Sequence, residues 1–201
     1  MNTAFLSGFL LSFSLILAIG PQNAFVLRQG LLKQHVLPIA LFCTLSDIIL
    51  ILLGIFGFGS IISNFDNFSQ YMFVIGGVWL SVYGFLRLKG AYSADSFLEA
   101  SNTQESNLKL VLINCAVLTW FNPHVYIDTL ILIGTVSLRF EDSLHFGLGA
   151  CLASFIFFFS LAFGARLLSP LISSKKAWQI LDLVIASVMF ILAFSMFQEV
   201  L

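Results

Sequence analysis

The sequence predicts an all-α membrane protein: six transmembrane helices forming two inverted three-helix repeats, with helices one and four interrupted at prolines. Three observations predict it. Of 201 residues, 59% are hydrophobic and 9% charged, and the mean hydropathy is +1.01, a balance that soluble domains do not have. Six apolar runs, at about 4–27, 36–62, 68–86, 110–138, 144–168 and 177–197, approach or exceed the roughly 20 residues that cross a bilayer. Two of them, the first and the fourth, are cut at matching places by Pro21 and Pro123. A β-barrel is excluded, because the runs are too long and do not alternate polar with apolar. The chain therefore reads as a single polytopic domain over 1–201. Repeat one covers 1–90, a cytoplasmic linker 91–107, and repeat two 108–201.

Taken in order, span one is uncharged until Arg28 and is interrupted by Gly20-Pro21-Gln22-Asn23. Glycine frees the backbone, proline removes a donor and breaks the ladder, and the two amides supply polar groups where lipid offers none. Span two carries Ser46 and Asp47 near its middle. So short a carboxylate snorkels poorly, so Asp47 is expected to face the bundle interior or water. Gly54, Gly57 and Gly59 suit close helix contact. Span three, with Gly76, Gly77, Trp79, Ser81, Tyr83 and Gly84, has no charge in its apolar run and reads as packing.

The segment Gly90–Asn107 is polar and reads as a mobile connection between halves. Span four breaks at Asn122-Pro123-His124. Asn122 is a good N-cap, Pro123 suits the first turn of a new half, and His124 and Asp128 fall four apart on one face of it. Spans five and six, rich in Phe and small residues, read as lipid-facing bulk and helix contacts. Asp182 is expected to be an interfacial or first-turn carboxylate near Lys175 and Lys176, and Arg166 is likewise expected at the interface. His35 and His145 lie near loop ends and carry no specific signal.

Net charge, −1, is uninformative, but its placement is not. Arg28, Lys33, Arg87, Lys89, Lys109, Arg166, Lys175 and Lys176 follow spans one, three and five, whereas only Arg139 lies on the other side. Positive charge marks the cytoplasmic face. This puts the loops 1–2, 3–4 and 5–6 in the cytoplasm and both termini outside. Cys43, Cys115 and Cys151 form no C-x-x-C pair and read as small buried hydrophobes. The N-terminal run has no charged n-region and is read as a retained first helix. No metal, cofactor or nucleic-acid partner is expected.

Two interrupted helices, one opening each three-helix unit, point to a transporter site near the bilayer midplane, because an odd number of spans per unit inverts the second. A helix break exposes N–H groups that favour an anion such as an α-carboxylate. Asp47 and Asp128 favour cations, and no Lys or Arg lies at comparable depth to neutralise them. One carboxylate and two ammonium-like charges describe lysine or arginine. The acids break the symmetry between halves: Asp128 corresponds to Val26, and Asp47 to Gly149. Gln22, Asn23, Asn122 and His124 complete the expected binding set. Export of a cation against an inside-negative potential costs about 2.3 kcal/mol per 100 mV. Exchange for one incoming proton cancels that electrical cost. Asp47, Asp128 and His124 are the candidates to carry the proton.

Gly20-Pro21-Gln22-Asn23, Ser46-Asp47, and Asn122-Pro123-His124 with Asp128 resemble the lysine/arginine exporter (LysE/ArgO) family, across essentially the whole chain. The resemblance implies an inner-membrane exporter of basic amino acids and an essential role for Asp47 and Asp128, not an enzyme. Related branches move neutral amino acids or metal cations, and these are the alternatives. An intramembrane aspartyl protease also needs two buried acids, but its Gly-x-Gly-Asp type motif is missing at Leu45-Ser46-Asp47 and at Tyr126-Ile127-Asp128. The glycine-rich faces of spans two and three suit helix contacts, including those of a homo-oligomer.

Overall fold

A computed structural model describes residues 2–18, 20–57, 66–93 and 107–200. The expected linker lies outside these residues except at its edges, as do the end of the second apolar run and Gly59. Among the described residues every regular element is helical: α1 Asn2–Ile16, α2 Pro21–Leu32, α3 Val36–Ile55, α4 Asp66–Ser93, α5 Leu108–Trp120, α6 Pro123–Ser137, α7 Ser143–Leu168 and α8 Lys175–Gln198. Four of them, within α3, α4, α7 and α8, are long and apolar enough to cross a membrane singly. The pairs α1–α2 and α5–α6 qualify only together, and are bent by 79° and 61°. The last residues of α4, Gly90 to Ser93, are helical rather than part of a polar connection.

Side chains satisfy the backbone groups that each bend releases, as a low-dielectric surrounding requires. At the first bend, Asn23 Nδ2 donates to the carbonyls of Ile16 (2.7 Å) and Ala18 (2.9 Å). At the second, the His124 N–H turns to Asn122 Oδ1 at 3.2 Å, and the Trp120 carbonyl accepts instead from the Tyr126 hydroxyl at 2.6 Å. Pro21 and Pro123 each occupy the first helical position beyond the bend, where the missing N–H has no consequence. Gly20 was expected to free the backbone, but its φ of −110° is open to any residue. Nor is it crowded, since a Cβ there would meet nothing within 4 Å.

Residues 126–132 of α6 wind as a π-helix. Such wide turns cluster at functional sites, and this one carries Asp128. Periodicity could not reveal it, because the 3.6-residue spacing used to place His124 and Asp128 on one face assumes an α-helix.

Around the core, α1 and α2 pack on α7, α5 and α6 on α3, α3 on α7, and α4 on α8. Backbones meet where glycines permit it. A Cβ on Gly8 would collide with the Phe146 carbonyl oxygen, and one on Gly149 with that of Phe5. Gly54 and Gly134 do the same for α3 and α6, so Gly54 serves helix contact as expected. Gly57 does not: it has a φ of +87° and ends the helix in a turn. We expect Gly149→Ala to cost about 1–3 kcal/mol by overpacking, lowering the unfolding midpoint in detergent. Gly164→Ala, whose Cβ would meet nothing within 4 Å, should leave that midpoint unchanged.

Leu10, Leu45, Val78, Leu148 and Ile191 point outward, as lipid-facing residues do. The Cys43 and Cys115 thiols are buried and free, 3.4 Å apart across α3 and α5, a proximity their sequence positions did not suggest. Asp142 caps α7 through the His145 N–H at 3.1 Å, a bond that holds its carboxyl below the usual range.

Asp182 departs most from expectation. It is 0% exposed, enclosed by protein and not open to water. Arg28 Nε lies 3.7 Å and Arg87 Nη1 3.8 Å from its Oδ1. Arg28, expected among loop charges, is itself buried on α2, and Arg87 also covers the ring of Tyr83 at 5.3 Å. Basic residues near a helix end ordinarily snorkel outward, so Arg28 reads from sequence as a loop charge. The bend at residue 20 instead carries α2 inward.

Candidate functional site

Both bends open onto one cavity of about 360 Å³, within the range of small-molecule sites. Its walls include Gly20, Pro21, Gln22 and Asn23 from the first bend, Asp47 from α3, and Asn122, His124 and Asp128 from the second. The remaining wall is mostly apolar, with Ile16, Ile133, Phe158 and Leu192 among its residues. Every residue that the sequence nominated for substrate or proton binding therefore touches this space, as does Pro21; Pro123 is buried beside it. No Lys or Arg is among the lining residues.

The two acids differ. Asp47 is 3% exposed, and its Oδ2 accepts from the Ser154 hydroxyl of α7 at 2.8 Å. Ser46, beside it, accepts from Trp120 Nε1 at 3.2 Å, which ties α3 to the end of α5. Asp128 is half-buried on the π-helical segment. His124 sits edge-on to Phe73 with ring centroids 6.0 Å apart, and no hydrogen bond or ion pair joins it to Asp128.

The amides play unequal parts. Asn23 and Asn122 spend groups on the backbone of their own bends. Gln22 is buried, and its Nε2 makes no hydrogen bond. A carboxylate pair without a cationic side chain, in a mostly apolar cavity with donors at one end, can hold a small molecule bearing excess positive charge and one anionic group.

Sequence reasoning missed Ser154, Phe158, Leu192 and Ser195, all on helices read as packing. Ser154 had a findable signal. Gly147, Ala150 and Ser154 share one face of α7 at helical spacing, and a hydroxyl on a small-residue packing face needs a partner on the neighbouring helix.

An arginine exporter protein of Klebsiella pneumoniae (strain 342) is 38% identical over 205 residues, covering 99% of this chain and 95% of the relative. One from Salmonella typhimurium is 38% identical over 202 residues with the same coverage. No solved structure gives a significant match. The family described as LysE type translocator matches residues 13–199. With a match of that extent, and full-length relatives at this identity, the chain belongs to the LysE type translocator family.

Proposed function

We propose that this protein exports cationic amino acids, arginine foremost, across the bacterial inner membrane in exchange for protons. The observation that carries the reading is the cavity holding Asp47 and Asp128 without a basic lining residue. A cationic substrate supplies the charge that the site lacks. The relatives' designation as arginine exporters supports the choice of cargo. Asp47 and Asp128 bind the cation and alternate it with protons, and His124 passes protons between Asp128 and one side of the membrane.

In the same reading, each bent pair is one interrupted span, and the two halves are inverted repeats with both termini periplasmic. The packing pattern supports this. Exchanging span one with four, two with five and three with six turns the one–five contact into four–two and leaves two–five and three–six unchanged. That is the set of contacts a twofold relation between the halves produces, and an odd number of spans per half would lay its axis in the membrane plane.

Radiolabelled arginine flux in proteoliposomes tests the function. Arginine and lysine should exchange, neutral amino acids and divalent metals should compete poorly, and an imposed pH gradient should accelerate flux several-fold in the direction opposite to proton movement. Flux indifferent to the gradient would remove the proton from the mechanism. Preference for a metal or a neutral amino acid would replace the cargo.

A further inference from the structure

The two helix starts that face the cavity are not equivalent. The start of α6 is already capped, because Asn122 Oδ1 occupies the His124 N–H. At the start of α2 no side chain makes a capping bond. The first intrahelical bond there runs from the Ala24 N–H to the Gly20 carbonyl at 3.0 Å. The amides of Gln22 and Asn23 precede it, at the positive end of a 12-residue helix.

Two independent features mark this end for a ligand. Gln22 is 6% exposed, lines the cavity, and leaves its Nε2 without a partner. Its neighbour, the Cys43 thiol, is only a weak acceptor. A buried amide donor with no acceptor carries a desolvation penalty of its own. Gly20 leaves open space where a side chain would stand. Room, an idle donor and an uncapped helix start therefore coincide at one end of the cavity.

Resting on the reading of the cavity as a cationic amino-acid site, we infer that Gln22 and the start of α2 bind the substrate's α-carboxylate. That orients the cargo, with its α-ammonium on the buried Asp47 and its side-chain cation reaching the half-buried Asp128. Cys43, beside Gln22, lies one helical turn before Asp47 on α3, whereas Asp128 belongs to the second bend. Gln22 is thus a specificity residue. It makes the exporter require an amino acid, not merely a dication, and so retains diamines and decarboxylated amines inside the cell.

The test compares arginine with agmatine, which keeps the guanidinium and an ammonium but has no carboxylate. Counterflow in proteoliposomes of the full chain gives apparent affinities for both. Wild type should favour arginine by about tenfold to a hundredfold, the worth of hydrogen bonds to a charged group. Gln22→Glu, close in shape and repulsive to a carboxylate, should erase most of that preference by weakening arginine while leaving agmatine unchanged or improved. Gly20→Ala, which fills the open space without straining the backbone, should act in the same direction. Asp128→Asn should weaken both compounds. Equal loss of arginine and agmatine in both Gln22→Glu and Gly20→Ala, or undiminished arginine preference in both, would overturn this inference alone. A wild type that moves no arginine would overturn the export reading itself and this inference with it.

Discussion

Asparagine in place of Asp47 should reduce arginine counterflow by about a hundredfold or more while leaving the protein folded and at least as stable. The two halves of that expectation have one cause. Asp47 is almost wholly buried, one oxygen takes the Ser154 hydroxyl, and the surrounding cavity offers no basic side chain. An ionised carboxylate so placed is costly until a cation arrives. Asparagine keeps the shape and, through its own oxygen, the bond to Ser154, but it removes the charge. Truncating one partner of a buried charge pair costs about 2–5 kcal/mol of binding, whereas burying an amide instead of a carboxylate relieves the empty protein.

Loss of transport with an unchanged or raised unfolding midpoint is therefore the signature of a binding acid. A merely structural acid would lose both together. Ser154→Ala should cost severalfold in apparent affinity, because it removes only the group that aims Asp47. Near-normal arginine flux in Asp47→Asn would end the assignment.

How far the sequence carried this site follows from what lipid penalises. Asp47, Asp128, Gln22 and Asn122 were legible because each is expensive within an apolar run, so its presence demands a reason. Asp47 and Asp128 line one cavity despite being 81 positions apart in the numbering. What stayed hidden depends on which face a helix turns and where a bent half-helix goes. Ser154 is cheap at any depth, and its only signal was the small-residue face it shares with Gly147 and Ala150. The π-helical segment at residues 126–132 shifts the face of Asp128 without changing a letter of the hydrophobic pattern. Asp182 and Arg28 each sat close enough to a helix end to be assigned to the interface or first turn and to a loop, and only the bend before α2 brings them together. Helix existence was readable from hydropathy alone. The pairing of buried charges was not, because pairing is a property of the assembled bundle.

That hidden pair carries the second large effect, on stability. Arg28→Met should lower stability by about 3–5 kcal/mol, the cost of breaking a buried pair by removing one partner. It leaves Asp182, which has no exposure and no hydrogen bond to either oxygen, with Arg87 alone at 3.8 Å. For a chain of this length that is a fall of roughly 10 °C in the unfolding midpoint. Adding Asp182→Asn to Arg28→Met should restore much of it, since a neutral amide needs no counter-charge. A double-mutant cycle isolates the coupling from the lost packing of the arginine stem. A midpoint moved by less than about 2 °C in Arg28→Met would mean that the ion pair is thermodynamically idle.

The cluster also lies where its strength would matter to transport. Asp182 is ten residues before the cavity-lining Leu192 on α8, about 15 Å along the helix axis, and Phe25, Tyr83, Ile185 and Met189 share one buried core cluster. It joins α2, α4 and α8 at the end of the bundle where the basic residues gather. A conformation that opens the cavity toward that end by moving α2 away from α8 has to part this contact. The energy stored in the Arg28–Asp182 contact therefore adds to the barrier of that step. Arg28→Met should accordingly speed single-turnover exchange measured below its unfolding midpoint, even as it shortens the protein's lifetime in detergent. A slower exchange would place the cluster among the groups that hold the bundle together and have no part in its opening.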